Sequence, residues 1–146
     1  MSPRVYLVRH GRAEGQHPKG DAARRLTPEG AAAFEALVRS VAPELAVSRV
    51  LASPLTRARQ TALILAAVTG AHVDHAPELS AGASEPRELL ALAARLGPGT
   101  ALVGHNPELA DAASAAAGRR VDFPPGAVAA LDLVGRDVRL AWLKAP

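Results

Sequence analysis

Short apolar runs alternate with amphipathic segments along most of this chain, and the alternation predicts strands that alternate with helices. The first apolar run, Arg4–Arg9, contains β-branched residues and has the length of a buried strand. Further strand-like segments follow at residues 47–52, 71–75, 100–104, 127–134 and 138–143. The last two are joined by Gly135, Arg136 and Asp137, which predict a hairpin turn.

Polar cap residues followed by proline mark the expected helix starts. These pairs are Thr27-Pro28, Ser53-Pro54, Glu85-Pro86 and Asn106-Pro107, and the helices that follow should end near residues 41, 68, 96 and 117. The alternation favours a mainly parallel sheet with helices on both faces, and the hairpin adds an antiparallel edge strand. The expected architecture is therefore a single three-layer α/β/α domain over residues 1–146.

Polar side chains occur where three of the predicted strands end. Arg9 and His10 end the first strand, Arg57 lies in the helix start after the second, and His105 follows the fourth. Because the carboxyl ends of parallel strands face one edge of a sheet, these side chains can converge on one pocket. Two arginines that each bind two oxygens, together with helix N-termini, suit a dianionic phosphoryl group. Taken singly, each residue has an ordinary interpretation as a loop histidine, a surface arginine or a histidine bonded to a backbone carbonyl.

Composition narrows the classes of function. The net charge is only +3 and aromatic residues make up 3% of the chain, so nucleic-acid binding is disfavoured. No apolar run has the length of a membrane span and no signal-peptide pattern precedes the first strand, so we expect a cytoplasmic protein without a membrane partner. The absence of cysteine excludes disulfides, thiol catalysis and cysteine-based zinc sites. His72 and His75 would face opposite sides of a short strand, which disfavours a metal site there.

Three segments of the chain carry a family resemblance. Leu7-Val8-Arg9-His10-Gly11 resembles the signature of the histidine phosphatase superfamily. Residues 53–62 (SPLTRARQTA) and 104–107 (GHNP) resemble the second and third motifs of that family, in the same order and at similar spacing. The short chain, with segments 24–30 and 77–79, is similar to the SixA-like branch of small phosphohistidine phosphatases. The resemblance spans essentially the whole chain and implies a phosphoglycerate mutase-like fold.

The resemblance also implies roles for the matched residues. His10 would be the nucleophile that takes the phosphoryl group on a ring nitrogen, and water would remove that group in a second step. The phosphoryl oxygens would be surrounded by three side chains: Arg9, Arg57 and His105. Further substrate contacts would come from three residues: Gly11, Arg24 and Asn106. No metal or other cofactor is implied.

A carboxylate that protonates the leaving group is expected in larger members of the family. Glu78, in the loop after the third predicted strand, is the best positional match, although it could equally be a solvated loop carboxylate. Glu14 and Asp21, in the polar loop after the first strand, are weaker rivals. Arg24 in the same loop could likewise be a surface residue. A phosphohistidine substrate would reduce the need for an acid, because protonated imidazole is already a good leaving group.

The sequence therefore predicts a metal-independent phosphatase whose favoured substrate is protein phosphohistidine. The stretch from residue 60 to residue 104 is too short for the lid that larger relatives place over small substrates, so an open site is expected. Two alternatives remain at this point. The substrate could be a small phosphate ester or a nucleotide, or the domain could bind phosphorylated proteins without turnover. A mutase reaction is disfavoured by the missing lid.

Overall fold

A six-stranded sheet forms the middle layer of the protein, in a computed structural model that describes residues 3–146. Its strands, numbered in chain order from β1 to β6, are Arg4–Arg9, Arg49–Ala52, His72–His75, Thr100–Gly104, Val128–Val134 and Asp137–Lys144. They are arranged in the order β3-β2-β4-β1-β5-β6, and the four strands from β3 to β1 are parallel. β5 runs antiparallel to β1 and forms the terminal hairpin with β6.

Helices cover both faces of this sheet. The helices, numbered α1 to α4, are Pro28–Val41, Thr56–Thr69, Pro86–Leu96 and Glu108–Ala117. Side chains alternate along β1, so that Val5 and Leu7 pack in the core beneath α3 and α4, while Tyr6 and Val8 pack in the core beneath α1 and α2. This layered arrangement confirms the predicted α/β/α fold class. No helix between residues 3 and 146 combines the length and the apolar composition needed to cross a bilayer.

Two of the predicted helix caps are present and two are displaced. The Thr27 hydroxyl accepts a hydrogen bond from Gly30 N at 2.9 Å, and Glu85 forms a capping box with Glu88. The expected start at Ser53-Pro54 is wrong, because Leu55 still has an extended backbone conformation and α2 begins only at Thr56. Similarly, α4 begins at Glu108, after Pro107. Both displaced starts follow strands that end at the functional edge of the sheet.

The loop after β1 folds back against α1 and α2. Ala13 forms an isolated antiparallel bridge with Leu26, and a short 3-10 turn covers Asp21–Ala23. The first turn of α1 lies so close to this loop that a Cβ added at Gly30 would sit 2.3 Å from the Arg12 carbonyl oxygen. Only glycine fits there, so α1 holds the backbone two residues beyond His10 in place.

Candidate active site

The ends of three neighbouring strands form the candidate site. β4 lies between β1 and β2, so His10, His105 and the start of α2 meet above the middle of the sheet. Backbone bonds continue beyond the strands, since His10 N donates to Gly104 O at 3.1 Å and Ser53 N donates to Val103 O at 3.0 Å. The rings of His10 and His105 have their centroids 5.2 Å apart. The structure therefore brings together the two histidines that the sequence placed at separate strand ends.

His10 is buried and held in one orientation. Its exposed fraction is 8%, and its Nδ1 lies 2.7 Å from the carbonyl oxygen of Gly11. A carbonyl only accepts, so Nδ1 carries the proton and Nε2 presents a lone pair. Burial, followed by the positive charges of Arg57, Arg9 and Arg24, lowers the pKa of His10 to about 4. The ring is therefore neutral near pH 7, which is the nucleophilic form.

Arg57 and Arg9 supply the cationic part of the site. Arg57 is 5% exposed and donates from Nη1 to the Asp21 carbonyl oxygen at 2.9 Å and from Nη2 to Asp21 Oδ2 at 3.2 Å. Arg9 donates from Nη1 to the Phe123 carbonyl oxygen at 3.1 Å, and burial lowers the pKa of its guanidinium. Both side chains thus have one firmly anchored end.

Unpartnered buried nitrogens are concentrated in this site. Among the described residues, four buried side-chain nitrogens have no hydrogen-bond partner, and three of them are Arg9 Nε, Arg57 Nε and His105 Nδ1. Native proteins rarely leave such groups unpaired, because each one loses its bonds to water. An anion with several acceptor oxygens, such as a phosphoryl group, would satisfy them. The donor set fits the ligand that the sequence predicts.

His105 is the second histidine of the site, with an exposed fraction of 4%. Its Nε2 lies 2.7 Å from the hydroxyl oxygen of Ser53. Burial, then the neighbouring His10 and Arg57, lowers the pKa of His105 to about 3. This ring is therefore also neutral near pH 7.

The three additional substrate residues predicted from the family motifs serve different contacts. The Gly11 carbonyl orients His10, and its N–H donates to Thr61 Oγ1 at 3.0 Å. Arg24 donates to Glu14 O at 2.8 Å and to Asp21 Oδ1 at 2.9 Å, so it reaches Arg57 through Asp21. The Asn106 amide is used internally, as Nδ2 donates to the Phe123 carbonyl at 2.9 Å and Oδ1 accepts from Ala110 N at 3.2 Å.

The Glu78 carboxylate forms no hydrogen bond or ion pair with any residue that the structure describes. Glu78 belongs to a 3-10 turn, Pro77–Leu79, and its exposed side chain lines a cavity beside α3 together with Ser84, Glu88 and Arg95. The carboxylate that contacts the site is Asp21, which bridges Arg24 and Arg57. These two cations lower the pKa of Asp21, the Arg24 hydrogen bond being the larger cause.

Sequence reasoning gave no site role to two further residues. Thr61 accepts from Gly11 N and donates to the Arg57 carbonyl at 2.8 Å, which ties the nucleophile loop to α2. Ser53 contacts His105, although the sequence suggested only a helix cap. A signal was present in both cases, because Thr61 lies one helical turn after Arg57 and Ser53 directly follows a strand, as His105 does.

The fold and the site together define an α/β protein with cationic side chains beside a neutral, buried histidine at the ends of its parallel strands. Residues 5–85 match the family model described as histidine phosphatase superfamily (branch 1), and the chain belongs to that family. It is therefore a phosphatase, a hydrolase whose reaction passes through a phosphohistidine intermediate.

Solved structures agree with this assignment. A protein described as a SixA phosphohistidine phosphatase from Agrobacterium tumefaciens is 28% identical, with a TM-score of 0.85, over 100% of this chain and 99% of that chain. One described in the same way from Nakamurella multipartitia is 26% identical, with a TM-score of 0.77, over 100% and 97%. The fold also matches the protein histidine phosphatase SixA complexed with tungstate, at 22% identity and a TM-score of 0.83, over 98% and 97%. No curated protein sequence matches significantly. The predicted family resemblance is confirmed.

Proposed function

We propose that this protein removes phosphoryl groups from phosphohistidine side chains of another protein, and that His10 carries the group between the two half-reactions. The proposal rests on the environment of His10. A neutral imidazole with a free Nε2 is buried beside the unpartnered donors of Arg9, Arg57 and His105. The two SixA-like structures above 25% identity support the same substrate class.

In the first step, the Nε2 lone pair of His10 attacks phosphorus. An N–P bond forms on His10 while the N–P bond of the substrate breaks, and the electron pair stays with the departing imidazole. If the departing ring is protonated on its other nitrogen, it leaves as a neutral imidazole. Charge on the equatorial oxygens is stabilised by Arg9 and Arg57, whose anchored guanidiniums need little reorganisation.

In the second step, water attacks the phosphoryl group on His10 and the electron pair returns to Nε2. The Gly11 carbonyl keeps the Nδ1 proton in place throughout, so the phosphorylated ring is cationic and leaves readily. One hydrogen bond therefore supports His10 both as nucleophile and as leaving group. The proton released by water goes to the phosphate product or to solvent.

The carboxylate in the site favours a phosphohistidine over a phosphate ester. A general acid must be protonated before it can act, but Arg24 and Arg57 hold the pKa of Asp21 below its usual range. An alkoxide leaving group would need that proton, whereas imidazole has an ordinary pKa near 6.5 and does not. The site is also bordered by an open cavity of about 470 Å³ lined by His17, Asp21 and Arg24, which leaves room for a protruding side chain.

Kinetics with a phosphohistidine-containing protein and a panel of small esters test this proposal. We expect the highest kcat/KM with the phosphoprotein and a loss of at least about 10³-fold in His10→Ala. Wild-type protein quenched during turnover should carry an acid-labile phosphoryl label that His10→Ala lacks. His75→Ala, at an exposed position on β3, is the matched control and should keep both activity and label.

Three outcomes would count against specific parts of the proposal. Full activity in His10→Ala would remove the covalent mechanism. A strong preference for a small ester would contradict the proposed substrate and leave the covalent mechanism intact. Tight binding of the phosphoprotein without turnover would favour a binding module.

A further inference from the structure

Ser53 occupies a fully buried position directly between β2 and the site, with an exposed fraction of 0%. Its hydroxyl oxygen lies 2.7 Å from His105 Nε2 and accepts a hydrogen bond from Leu55 N at 3.2 Å. Its own N–H donates to Val103 O, which ties Ser53 to the strand that leads into His105. The serine and the histidine are thus held by the same strand.

The direction of the Ser53–His105 bond follows from counting donors. A hydroxyl has one hydrogen and two lone pairs, and Leu55 N–H already uses one lone pair. Over residues 3–146, His105 Nε2 is the acceptor within hydrogen-bond reach of this hydroxyl. If Nε2 donated instead, the hydroxyl hydrogen would be buried without a partner. If Nε2 accepts, the donor left without a partner is Nδ1–H, which an anion in the site can satisfy. With an anion bound, the hydroxyl therefore donates to Nε2, and the ring proton is on Nδ1.

We propose that Ser53 is a positioning residue that fixes His105 in the Nδ1–H tautomer, so that His105 can donate a hydrogen bond to the phosphoryl group. Nδ1 is buried and has no partner in the protein, and its ring lies beside that of His10. A neutral imidazole has a single N–H, so the tautomer decides whether Nδ1 offers a donor or a lone pair. This assignment rests on the proposed function, because an anion at Nδ1 is what makes the two tautomers unequal.

Removing the hydroxyl has a defined chemical consequence. In Ser53→Ala the ring can carry its proton on Nε2, and Nδ1 would then direct a lone pair at an anionic oxygen. The resulting repulsion raises the barrier to phosphoryl transfer. Because this defect acts through the His105 ring, it should disappear in a variant that lacks the ring.

Nitrogen NMR of the protein saturated with inorganic phosphate tests the tautomer without turnover. With His105→Gln used to assign the signals, we expect wild-type His105 at pH 7 to show a protonated Nδ1 and an unprotonated Nε2. Ser53→Ala should show a mixture or the opposite tautomer. A protonated Nε2 in the wild type would overturn the proposal.

The kinetic test separates positioning from general loss of structure. Ser53→Ala should lower kcat/KM about tenfold at pH 7, but it should cause little further loss in a His105→Ala background, because it acts through the His105 ring. Ser114→Ala is the control, because its hydroxyl also makes two hydrogen bonds, to Val121, but at the far end of α4. Ser114→Ala should match the wild type. An equal loss from Ser53→Ala in both backgrounds would mean that Ser53 has only a structural role.

The two proposals can fail separately. If His10→Ala stays active while wild-type His105 has a protonated Nδ1, the covalent mechanism fails and the tautomer assignment holds. If His10→Ala is inactive while wild-type His105 has a protonated Nε2, the assignment of Ser53 fails and the mechanism holds.

Discussion

The site edge, formed by the ends of β1, β2 and β4, can be compared with the β3 region, residues 72–78. Both contain histidines, and both have a carboxylate and an arginine nearby. At the site edge His10, His105 and Arg57 are buried, whereas His72, His75 and Glu78 in the β3 region are exposed. β3 is an edge strand that pairs only with β2, so its side chains remain in water.

The difference shows that the reactivity of the site depends on bringing these side chains together in a buried position, and not on the residue types alone. The His72–Asp74 pair in the β3 region is 3.4 Å long with both side chains exposed, and such pairs contribute little. At the site edge, two rings and the Arg57 guanidinium are buried, so water screens their charges only weakly. Burial then lowers the pKa values of His10 and His105 and leaves donors unpaired.

Among these comparisons between the two regions, the largest expected effect is on kcat/KM when an arginine is removed. Arg57→Ala removes a buried cation that should stabilise the charged oxygens in the transition state, so we expect kcat/KM to fall by about 10²- to 10³-fold. Arg95→Ala, beside Glu78 in an exposed cavity, should change it less than about twofold. Steady-state kinetics on both variants checks this, and equal losses would abolish the distinction between the regions.

The second effect concerns acid stability. The pKa of His10 is about 4 in the folded protein and near 6.5 in the unfolded chain, so only the unfolded state gains a proton between those values. The free energy of unfolding should therefore fall as the pH drops from 6.5 to 4, by up to about 1.4 kcal/mol per pH unit for this group.

Denaturant unfolding at several pH values measures this slope. It should be shallower in His10→Gln, because the titrating group is gone. The double variant His72→Gln/His75→Gln in the β3 region should keep the wild-type slope. A wild-type slope in His10→Gln would show that the folded ring is not protected from protonation.

The smallest expected effect is on inhibition by vanadate, and it distinguishes Asp21 from Glu78. Asp21→Asn removes the negative charge that competes with a bound anion for Arg57, and we expect vanadate to inhibit about fivefold more tightly, or ~1 kcal/mol. Glu78→Gln should leave the inhibition constant unchanged. If Asp21→Asn instead slowed esters with poor leaving groups far more than esters with good ones, Asp21 would be the general acid.

The sheet, its helices and the four residues at the strand ends could be predicted from the sequence, because each depends on a local pattern. Strand length and alternation placed β1 and β4, and the rule that parallel strand ends share an edge brought His10 and His105 together. The resemblance to the family motifs implies the roles of these residues.

The remaining parts of the site depend on contacts between distant segments. Asp21 meets Arg57 only because the loop after β1 folds back across α2, and 36 positions separate the two residues. Glu78 matches the family by its position in the chain, and its role as an acid stays a prediction. The sequence predicts a cap at Ser53 because the same short polar residues begin helices and end strands.

The order β2-β4-β1 also sets the dimensions of the pocket. Adjacent strands are about 4.8 Å apart, so the strands on either side of β4 end roughly 10 Å from each other. That width is fixed by backbone hydrogen bonds, and side-chain substitutions can change the charge of the pocket without changing its span. Selection among leaving groups can therefore act through the surrounding loops while the spacing of the strands stays the same.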